Sequence, residues 1–520
     1  VSSCRVFAAA MWKVASLFAA AVPAQDLFLA REAPLSVPLD DYVSKPDANY
    51  KWSDTGEVVK MLSGTGYLLN VTSQQWLNES LAQGPNGALW THQVLVVVPK
   101  ELKVRDRAMI YITGGCNENP SVPKATDEEP LIVDLITKTT GSIGVVLYQI
   151  PNCHMVYPSD PSQKRREEDA MIAWAWHEFF QTRNPEWLPR LPMVKAAMQA
   201  MRAVQEYTTE KKMAEIDGWL VSGASKRGWT TWLTGAVNCP SCPKIVALAP
   251  IVPIVPDLKE AMHHMFQAYG GWTFAFNDYT DVNLTRLMDS PGFDALLQVV
   301  DPMHYLDRLA RLPKTVILAS DDEFMMMEWT RLWHSKMPGE THLAICPNAE
   351  HSEATGIPTL VPTLTNFANS VFQQGKRPEY SFDLDLEAGK ITVTVPSTQN
   401  VSKVVLRKGN TLSTKRRDFR WVALPDDGKC KFPEIGVKNN SICVQPIIWD
   451  GTTLERNAAG VYEAELKKPL LGWSGYFVEM YFPSDTGLKE EYQLTTSGMV
   501  WPQTLPFADC TGAACEGHLV

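Results

Sequence analysis

The sequence lacks the features of a nucleic-acid-binding or membrane-spanning chain. It contains no basic run, and 58 Asp and Glu residues outnumber 48 Lys and Arg residues, which gives a formal net charge of −10. Nucleic acids and anionic membranes select clustered positive charge, so we expect neither as the main partner. After residue 24, no stretch approaches the roughly 18 uninterrupted apolar residues of a membrane-spanning helix. We therefore expect a mature chain without a membrane span.

Signals for a metal or cofactor site are also few. Cys239 and Cys242 have the spacing of a metal-binding or redox pair, but no second pair or histidine cluster accompanies them at zinc-finger distance. A small disulfide loop is the favoured interpretation. His263 and His264 are adjacent in a helical pattern, where neighbouring side chains point to different faces. We therefore expect no metal ion and no cofactor.

The N-terminus and the glycosylation sequons favour secretion. A short apolar run follows Lys13 and ends in small residues, which predicts a signal peptide over residues 1–24; a buried N-terminal helix is the alternative. Secreted proteins are often glycosylated at Asn-x-Ser/Thr sequons. Five sequons occur, at Asn70, Asn78, Asn283, Asn400 and Asn439.

Nine of the ten cysteines follow the predicted cleavage point. This odd number leaves at least one of them unpaired or paired outside the chain. Cys430 with Cys443 and Cys510 with Cys515 are the natural local pairs.

Seven apolar stretches of strand length alternate with helical patterns between residues 92 and 347. They are HQVLVVVP, AMIYITGG, IGVVLYQIP, DGWLVSG, KIVALAP, KTVILAS and HLAICP. This alternation is typical of an α/β fold with a mostly parallel sheet and helices on both faces. From residue 380 to about residue 483, apolar and polar residues alternate instead, which predicts antiparallel strands.

The 520-residue chain is long enough for more than one domain. We predict an α/β domain over residues 25–375, an antiparallel β-sandwich-like domain over residues 376–488, and a loosely attached tail over residues 489–520. Residues from about 251 to 305 are expected to form a lid-like insertion in the first domain.

A serine, an acid and a histidine each follow one of the predicted strands. Ser225 follows DGWLVSG, Asp321 and Asp322 follow KTVILAS, and His351 follows HLAICPNAE. Because reactive groups gather at the carboxyl ends of the strands in such sheets, we expect these side chains to meet. The order serine, acid, histidine is that of α/β hydrolases, in which the histidine accepts the serine proton and the acid orients the histidine. Each residue alone could have a purely structural role, so the prediction depends on the three together.

Two segments could supply N–H donors for an oxyanion. One is the backbone N–H of Lys226 at the start of a predicted helix. The other is the loop of Gly114, Gly115 and Cys116, where glycine lets the backbone approach a substrate closely. The usual G-x-S-x-G motif is incomplete, since Arg227 occupies the place of its second glycine.

Several blocks of the sequence resemble the PhoPQ-activated pathogenicity-related family. They are LDDYVSKPDANYKW, RREEDAMIAWAWHEFF, SGASKRGWTTWLTGAV, DPMHYLDRLARLPKTVILASDDEF, CPNAEH and GWSGYFVEMYFP. The resemblance runs from about residue 39 to residue 483, and it implies an α/β-hydrolase fold with a C-terminal β domain. It implies a triad of Ser225, Asp322 and His351 and an oxyanion loop at Gly114 and Gly115, and so favours Asp322 over Asp321.

The family itself carries Ser-Lys-Arg-Gly, so the resemblance implies that Arg227 is no defect of this chain. Lys226 and Arg227 place two cations beside the serine. Arg227 could bind an anionic substrate or steady the oxyanion, or it could pair with a nearby acid and brace the turn. Both interpretations stay open at this stage.

We predict a secreted, extracellular serine hydrolase that cleaves a small-molecule ester or a peptide through an acyl-enzyme at Ser225. Nothing in the sequence separates an esterase from a peptidase. The resembled family also includes a secreted repressor of amoebal proliferation, which implies an alternative. The protein would then be a signalling protein on a hydrolase scaffold, with a cell-surface receptor as its partner.

Overall fold

The computed structural model describes residues 37–425, 430, 434–437 and 440–520. The predicted signal peptide, residues 1–24, and the sequon at Asn439 lie outside these residues. None of the helices in the described part of the chain combines the length and the apolar character needed to cross a lipid bilayer.

Twenty strands lie within the described residues. They are β1 (Lys51–Lys60), β2 (Gly64–Gln75), β3 (Leu89–Pro99), β4 (Arg107–Ile112), β5 (Ile143–Leu147), β6 (Gly218–Ala224), β7 (Ile245–Ile251), β8 (Lys314–Ala319), β9 (Thr341–Cys346), β10 (Ser381–Asp385), β11 (Lys390–Thr394), β12 (Lys403–Asn410), β13 (Val422–Ala423), β14 (Glu434–Val437), β15 (Asn440–Val444), β16 (Asp450–Thr453), β17 (Tyr462–Glu465), β18 (Ser474–Phe482), β19 (Tyr492–Thr495) and β20 (Met499–Trp501).

Eleven α-helices accompany the strands in the described residues. They are α1 (Pro38–Ser44), α2 (Glu128–Thr140), α3 (Glu168–Thr182), α4 (Arg190–Glu210), α5 (Lys226–Ala236), α6 (Leu258–Tyr269), α7 (Asn277–Asp281), α8 (Pro291–Val300), α9 (Leu306–Leu309), α10 (Thr330–Trp333) and α11 (Ile357–Phe372).

Fourteen of the described strands form one sheet, in the order β1-β2-β3-β5-β4-β6-β7-β8-β9-β19-β18-β12-β16, with β20 paired to β18. The six strands from β5 to β9 in this order are parallel to one another. Their side chains are almost all buried, which explains why the sequence shows continuous apolar runs there instead of alternation. The predicted parallel sheet is therefore confirmed.

Helices cover both faces of this sheet. Alternate residues of β6 pack to opposite sides: Trp219 and Val221 join one apolar cluster with residues of α4 and α5, and Leu220 joins another with residues of α2 and α11. This two-sided packing follows from the period of two along a strand. The predicted α/β architecture with helices on both faces is confirmed.

The C-terminal strands are antiparallel, as predicted. β12, β16 and β18 do not stand apart from the parallel strands, because β19 pairs with β9 on one side and with β18 on the other. The other strands of this region form two three-stranded sheets, β10-β11-β17 and β13-β15-β14. β19 belongs to residues 489–520, for which we expected a loosely attached tail. That segment instead also contains β20 and a buried Cys515.

Residues 251–305, the expected lid-like insertion, make up most of the connection from β7 to β8 and contain α6, α7 and α8. Several of their large aromatic side chains are buried, among them Trp272, Phe276 and Phe293, which are at most 3% exposed. The aromatic composition of this segment therefore serves packing to a large extent.

Candidate active site

Ser225 lies in the turn between β6 and α5. Its φ is +59°, in a region that residues other than glycine rarely adopt. Such strained positions are concentrated at functional sites, where surrounding packing holds them. The Ser225 N–H donates to the carbonyl of Ile251 at 2.9 Å, which helps to hold the turn against β7.

Two glycines allow this turn to pack tightly. A Cβ atom at Gly223 would lie 2.9 Å from the carbonyl oxygen of Ile112, and one at Gly228 would lie 2.6 Å from that of Ile251. Both distances are shorter than side chains tolerate. The turn thus needs a glycine at position 228, one place later than in the usual motif, and leaves position 227 open to a long side chain.

His351 bridges the serine and an acid. Its Nε2 lies 2.9 Å from Ser225 Oγ, and its Nδ1 lies 2.8 and 2.9 Å from the two carboxylate oxygens of Asp322. A carboxylate can only accept, so Nδ1 carries the proton and Nε2 is free to accept from the serine hydroxyl. This is the hydrogen-bond pattern of a Ser-His-Asp triad.

The structure places Asp322, and not Asp321, against His351. Asp322 Oδ1 also accepts from the backbone N–H groups of Phe324 and Met325, which fixes its orientation. Asp321 instead accepts from Trp449 Nε1 and from the Ser320 hydroxyl, each at 2.8 Å. Burial raises the pKa of Asp321 to about 8 despite these two hydrogen bonds.

The charge of Asp322 sets the protonation of His351. Burial lowers the pKa of His351, but the charge and the hydrogen bond of Asp322 outweigh this effect and raise the pKa above its ordinary value. Glu323 raises it further, and Lys226 opposes the rise. The imidazole is thus more basic than an isolated histidine, as a general base for a serine hydroxyl should be.

The predicted oxyanion segments lie at the same edge of the sheet as Ser225. The Gly114–Cys116 loop follows β4, which is parallel and adjacent to β6. Gly115 has a φ of +107°, a conformation that favours glycine. Lys226 is the first residue of α5, so its N–H has no acceptor within the helix. The role of Lys226, Gly115 and Cys116 as oxyanion donors remains a prediction.

Arg227 and Lys226 are paired with two acids at the start of α3. The Arg227 guanidinium donates to Glu168 and to the carbonyl of Ile150. Lys226 Nζ lies 2.8 Å from Asp169 and 3.0 Å from Glu168. Burial alone would raise the pKa of both carboxyls. Arg227 and Lys226 together hold the pKa of Glu168 below its ordinary value, and Lys226 does the same for Asp169. These two acids were not predicted from the sequence, although the block RREEDA at a helix start was a visible signal.

Glu323 is a third residue of the site that was not predicted from the sequence. Its carboxylate accepts from the backbone N–H of His351 at 3.0 Å and from the backbone N–H of Val422 at 3.2 Å. It therefore joins three segments: the loop of Asp321, Asp322 and Glu323 (the acid loop), the loop of His351, and β13. Burial and the neighbouring charge of Asp322 raise the pKa of Glu323 to about 7.

The three cysteine pairs named from the sequence all form disulfides, Cys239–Cys242, Cys430–Cys443 and Cys510–Cys515.

The two adjacent histidines pair with acids on opposite sides of α6. His263 pairs with Asp289 and Asp509, and His264 pairs with Glu328. One group of metal-type ligands occurs in the described residues, and it consists of Cys116, Cys153 and Glu167.

A mostly parallel sheet with serine, acid and histidine in this order at its strand ends has the α/β-hydrolase fold. Within this class, the chain belongs to the PhoPQ-activated pathogenicity-related protein family, whose model matches residues 39–420. The resemblance drawn from the sequence blocks is thereby confirmed.

One relative is autocrine proliferation repressor protein A of Dictyostelium discoideum, which is 36% identical to this chain over 487 residues, 92% of each protein. Among solved structures, acetyl xylan esterase 1 from a Thermoanaerobacterium species is 12% identical with a TM-score of 0.40, covering 64% of this chain and 91% of that one. Acetyl xylan esterase from Paenibacillus sp. R4 is 11% identical with a TM-score of 0.39, covering 64% and 90%. Similarity to these structures at this level does not indicate a substrate.

Replacing Asp322 by Asn should lower the pKa of His351 by about 1 to 3 pH units, because the charge that opposes the effect of burial is removed. The measurement is an NMR pH titration of the imidazole nitrogens after histidine-selective ¹⁵N labelling. His263, whose raised pKa depends on Asp509 and Asp289, is the internal control and should not change. An unchanged titration of His351 would show that Asp322 does not face it.

Proposed function

We propose that the protein is a secreted serine hydrolase that cleaves an ester or a peptide through an acyl-enzyme at Ser225. The observation that carries the proposal is the bridging position of His351, within hydrogen-bond distance of both Ser225 and Asp322. Such a bridge is more than a binding scaffold needs, because a serine hydroxyl becomes a useful nucleophile only beside a base.

In the first step, Ser225 Oγ attacks the carbonyl carbon of the substrate while His351 Nε2 takes the hydroxyl proton. Asp322 accepts from Nδ1 throughout, so the imidazole keeps the required tautomer and its positive charge is stabilised. The protonated His351 then gives its proton to the leaving alcohol or amine. A water molecule repeats the cycle on the acyl-enzyme and regenerates the serine.

The tetrahedral intermediate carries a negative oxygen that needs fixed donors. We assign these donors to the backbone N–H of Lys226 and to the Gly115–Cys116 segment. The carbonyls of Thr113 and Gly114 accept from the backbone of Ile150 and Gln149 at 3.1 and 2.8 Å, which makes the loop rigid. A preorganised donor of this kind is worth about 100- to 1000-fold in turnover.

Secretion is supported by the disulfides and the sequons. Disulfides persist in oxidising compartments and are rare in the cytosol, and three occur within the described residues. The sequon asparagines Asn70, Asn78, Asn283 and Asn400 are all exposed, as a glycan requires.

A fluorophosphonate probe should label the purified full-length protein at Ser225, and Ser225→Ala should abolish the labelling. Asp322→Asn should slow labelling by up to about 10⁴-fold, because the histidine loses its orientation and tautomer. Asp321→Asn is the matched control and should slow it far less, since Asp321 contacts Trp449 and not His351. Peptide mapping identifies the labelled residue, and the rate should rise with pH as His351 loses its proton.

Labelling at another residue, or equal rates for the two asparagine variants, would contradict the proposed triad.

We infer that Arg227 positions the oxyanion loop and does not bind substrate, because its guanidinium is engaged by Glu168 and Ile150. A Cβ at Gly114 would lie 2.4 Å from the Arg227 guanidinium, so the two segments are in close contact. Misplacing such a loop by about 1 Å can cost about 100-fold in rate.

Arg227→Met should therefore lower hydrolysis of neutral and anionic esters by a similar factor, about 10- to 100-fold. The measurement is kcat/KM on a matched pair of aryl esters that differ in acyl charge, with the exposed Arg165→Met as the control. A loss confined to the anionic ester would instead support a role of Arg227 in substrate binding.

A second candidate function is signalling, and the observation in its favour is the name of the 36% identical relative, an autocrine proliferation repressor. In that case the purified protein should slow the proliferation of responsive cells, and Ser225→Ala should act equally well because binding to a receptor needs no nucleophile. Growth curves with both proteins at equal concentration decide this. A growth effect that disappears together with probe labelling would make hydrolysis the origin of the signal.

A further inference from the structure

Two cysteines outside the disulfides face each other beside the proposed oxyanion loop. Within the described residues, Cys116, Cys153 and Cys346 have no disulfide partner. The sulfur atoms of Cys116 and Cys153 and a carboxylate oxygen of Glu167 all lie within 4.8 Å of one another. Cys346, at the end of β9, is fully buried elsewhere in the core.

The two loops that carry these cysteines are already joined through the backbone. Asn117 N–H donates to the carbonyl of Cys153 at 3.2 Å, and the Cys153 N–H donates to the Asn117 side chain at 2.8 Å. These hydrogen bonds hold the two loops side by side, and a disulfide would require the sulfurs to approach from within 4.8 Å to about 2.05 Å.

We propose that Cys116 and Cys153 are a redox site that exchanges with small-molecule disulfides, such as oxidised glutathione, to form a fourth disulfide that fixes the oxyanion loop. The same chain carries three other disulfides, so it folds in surroundings where adjacent thiols are oxidised. The odd number of cysteines after residue 24 also agrees with a fourth disulfide, since four pairs then leave the buried Cys346 as the one unpaired cysteine among these nine.

The exchange proceeds in two balanced steps. Cys116 is the more accessible thiol, and its thiolate attacks one sulfur of the small disulfide to give a mixed disulfide and one free thiol. Cys153 then attacks the Cys116 sulfur and releases the second small thiol. The Cys153 S–H points at Glu167 Oε2 at 3.5 Å, so this carboxylate can take its proton and pass it to the leaving thiolate. Two protein thiols are oxidised and one small disulfide is reduced to two thiols.

A metal ion is the competing occupant, because two thiolates and a carboxylate are ligands that zinc accepts. Two features favour the disulfide. Glu167 is exposed, and the neighbouring His154 has its Nδ1 2.7 Å from the Arg165 guanidinium, which occupies a nitrogen that could bind a metal. The group therefore offers three ligands in the described residues and no evident fourth.

The consequence for catalysis rests on the proposed function. In the reduced protein, the residue that we assign as an oxyanion donor, Cys116, is held beside the loop at residue 153 through the hydrogen bonds of its neighbour Asn117. A covalent bond between the two loops would hold its N–H in place. Oxidation is thus expected to favour turnover.

The first test is independent of activity. The secreted full-length protein is alkylated under denaturing, non-reducing conditions, digested and mapped by mass spectrometry. We expect a linked peptide pair containing Cys116 and Cys153, with alkyl label on Cys346. Alkyl label on both Cys116 and Cys153 would overturn the proposal. So would a stoichiometric metal whose removal by a chelator exposes both thiols.

The second test measures the rate of fluorophosphonate labelling before and after mild dithiothreitol, with a return step in oxidised glutathione. We expect reduction to slow labelling several-fold and oxidised glutathione to restore it. Cys153→Ser should remove this response, and Cys346→Ser should retain it. A response that persists in Cys153→Ser would arise from the other disulfides and overturn the role in the oxyanion loop. If the protein takes no probe at all, the proposed hydrolase function fails while the peptide map still decides the disulfide.

Discussion

The position of His351 between Ser225 and Asp322 depends on the convergence of three loops at one edge of the sheet. β6, β8 and β9 belong to the parallel part of the sheet, so their carboxyl ends point the same way and deliver the three side chains together. The serine turn carries a conformational cost, since a positive φ outside glycine costs about 1–3 kcal/mol. Gly223 and Gly228 let the turn lie close to neighbouring backbone carbonyls, where a Cβ atom would not fit.

Residues 421–449 of the C-terminal region contact the acid loop of Asp321, Asp322 and Glu323 through hydrogen bonds. Trp449 donates to the Asp321 carboxyl at 2.8 Å, and the N–H of Trp421 donates to the Asp321 carbonyl at the same distance. Glu323 reaches Val422 in addition. Because burial raises the pKa of Asp321 to about 8 and that of Glu323 to about 7, neither adds a full negative charge near neutral pH. Three consecutive acids can thus occupy one loop without strong mutual repulsion.

The sequence predicts the parallel sheet because strands that are buried on both faces appear as continuous apolar runs. It predicts that Ser225 meets His351 because both residues directly follow such runs, at the carboxyl ends of strands. The same logic could not choose between Asp321 and Asp322, which differ only in the direction that the loop gives each carboxyl. Nor could it show that β19 joins the C-terminal strands to the parallel ones, since a strand of four residues carries no information about its partner. The contact between Cys116 and Cys153 depends likewise on two loops separated in sequence.

The paired charges beside Ser225 explain how the turn tolerates Arg227. Two cations in the first turn of α5 are unfavourable, because the N-terminus of a helix already carries a partial positive charge. Glu168 and Asp169 compensate them one for one, so the four side chains together are neutral. Through these ion pairs the two cations connect α5 to α3, and Arg227 also packs against the Gly114–Cys116 loop. For the hydrolase proposed above, an anionic substrate would then gain little from these paired cations, and selectivity would depend on the shape and polarity of the surrounding loops.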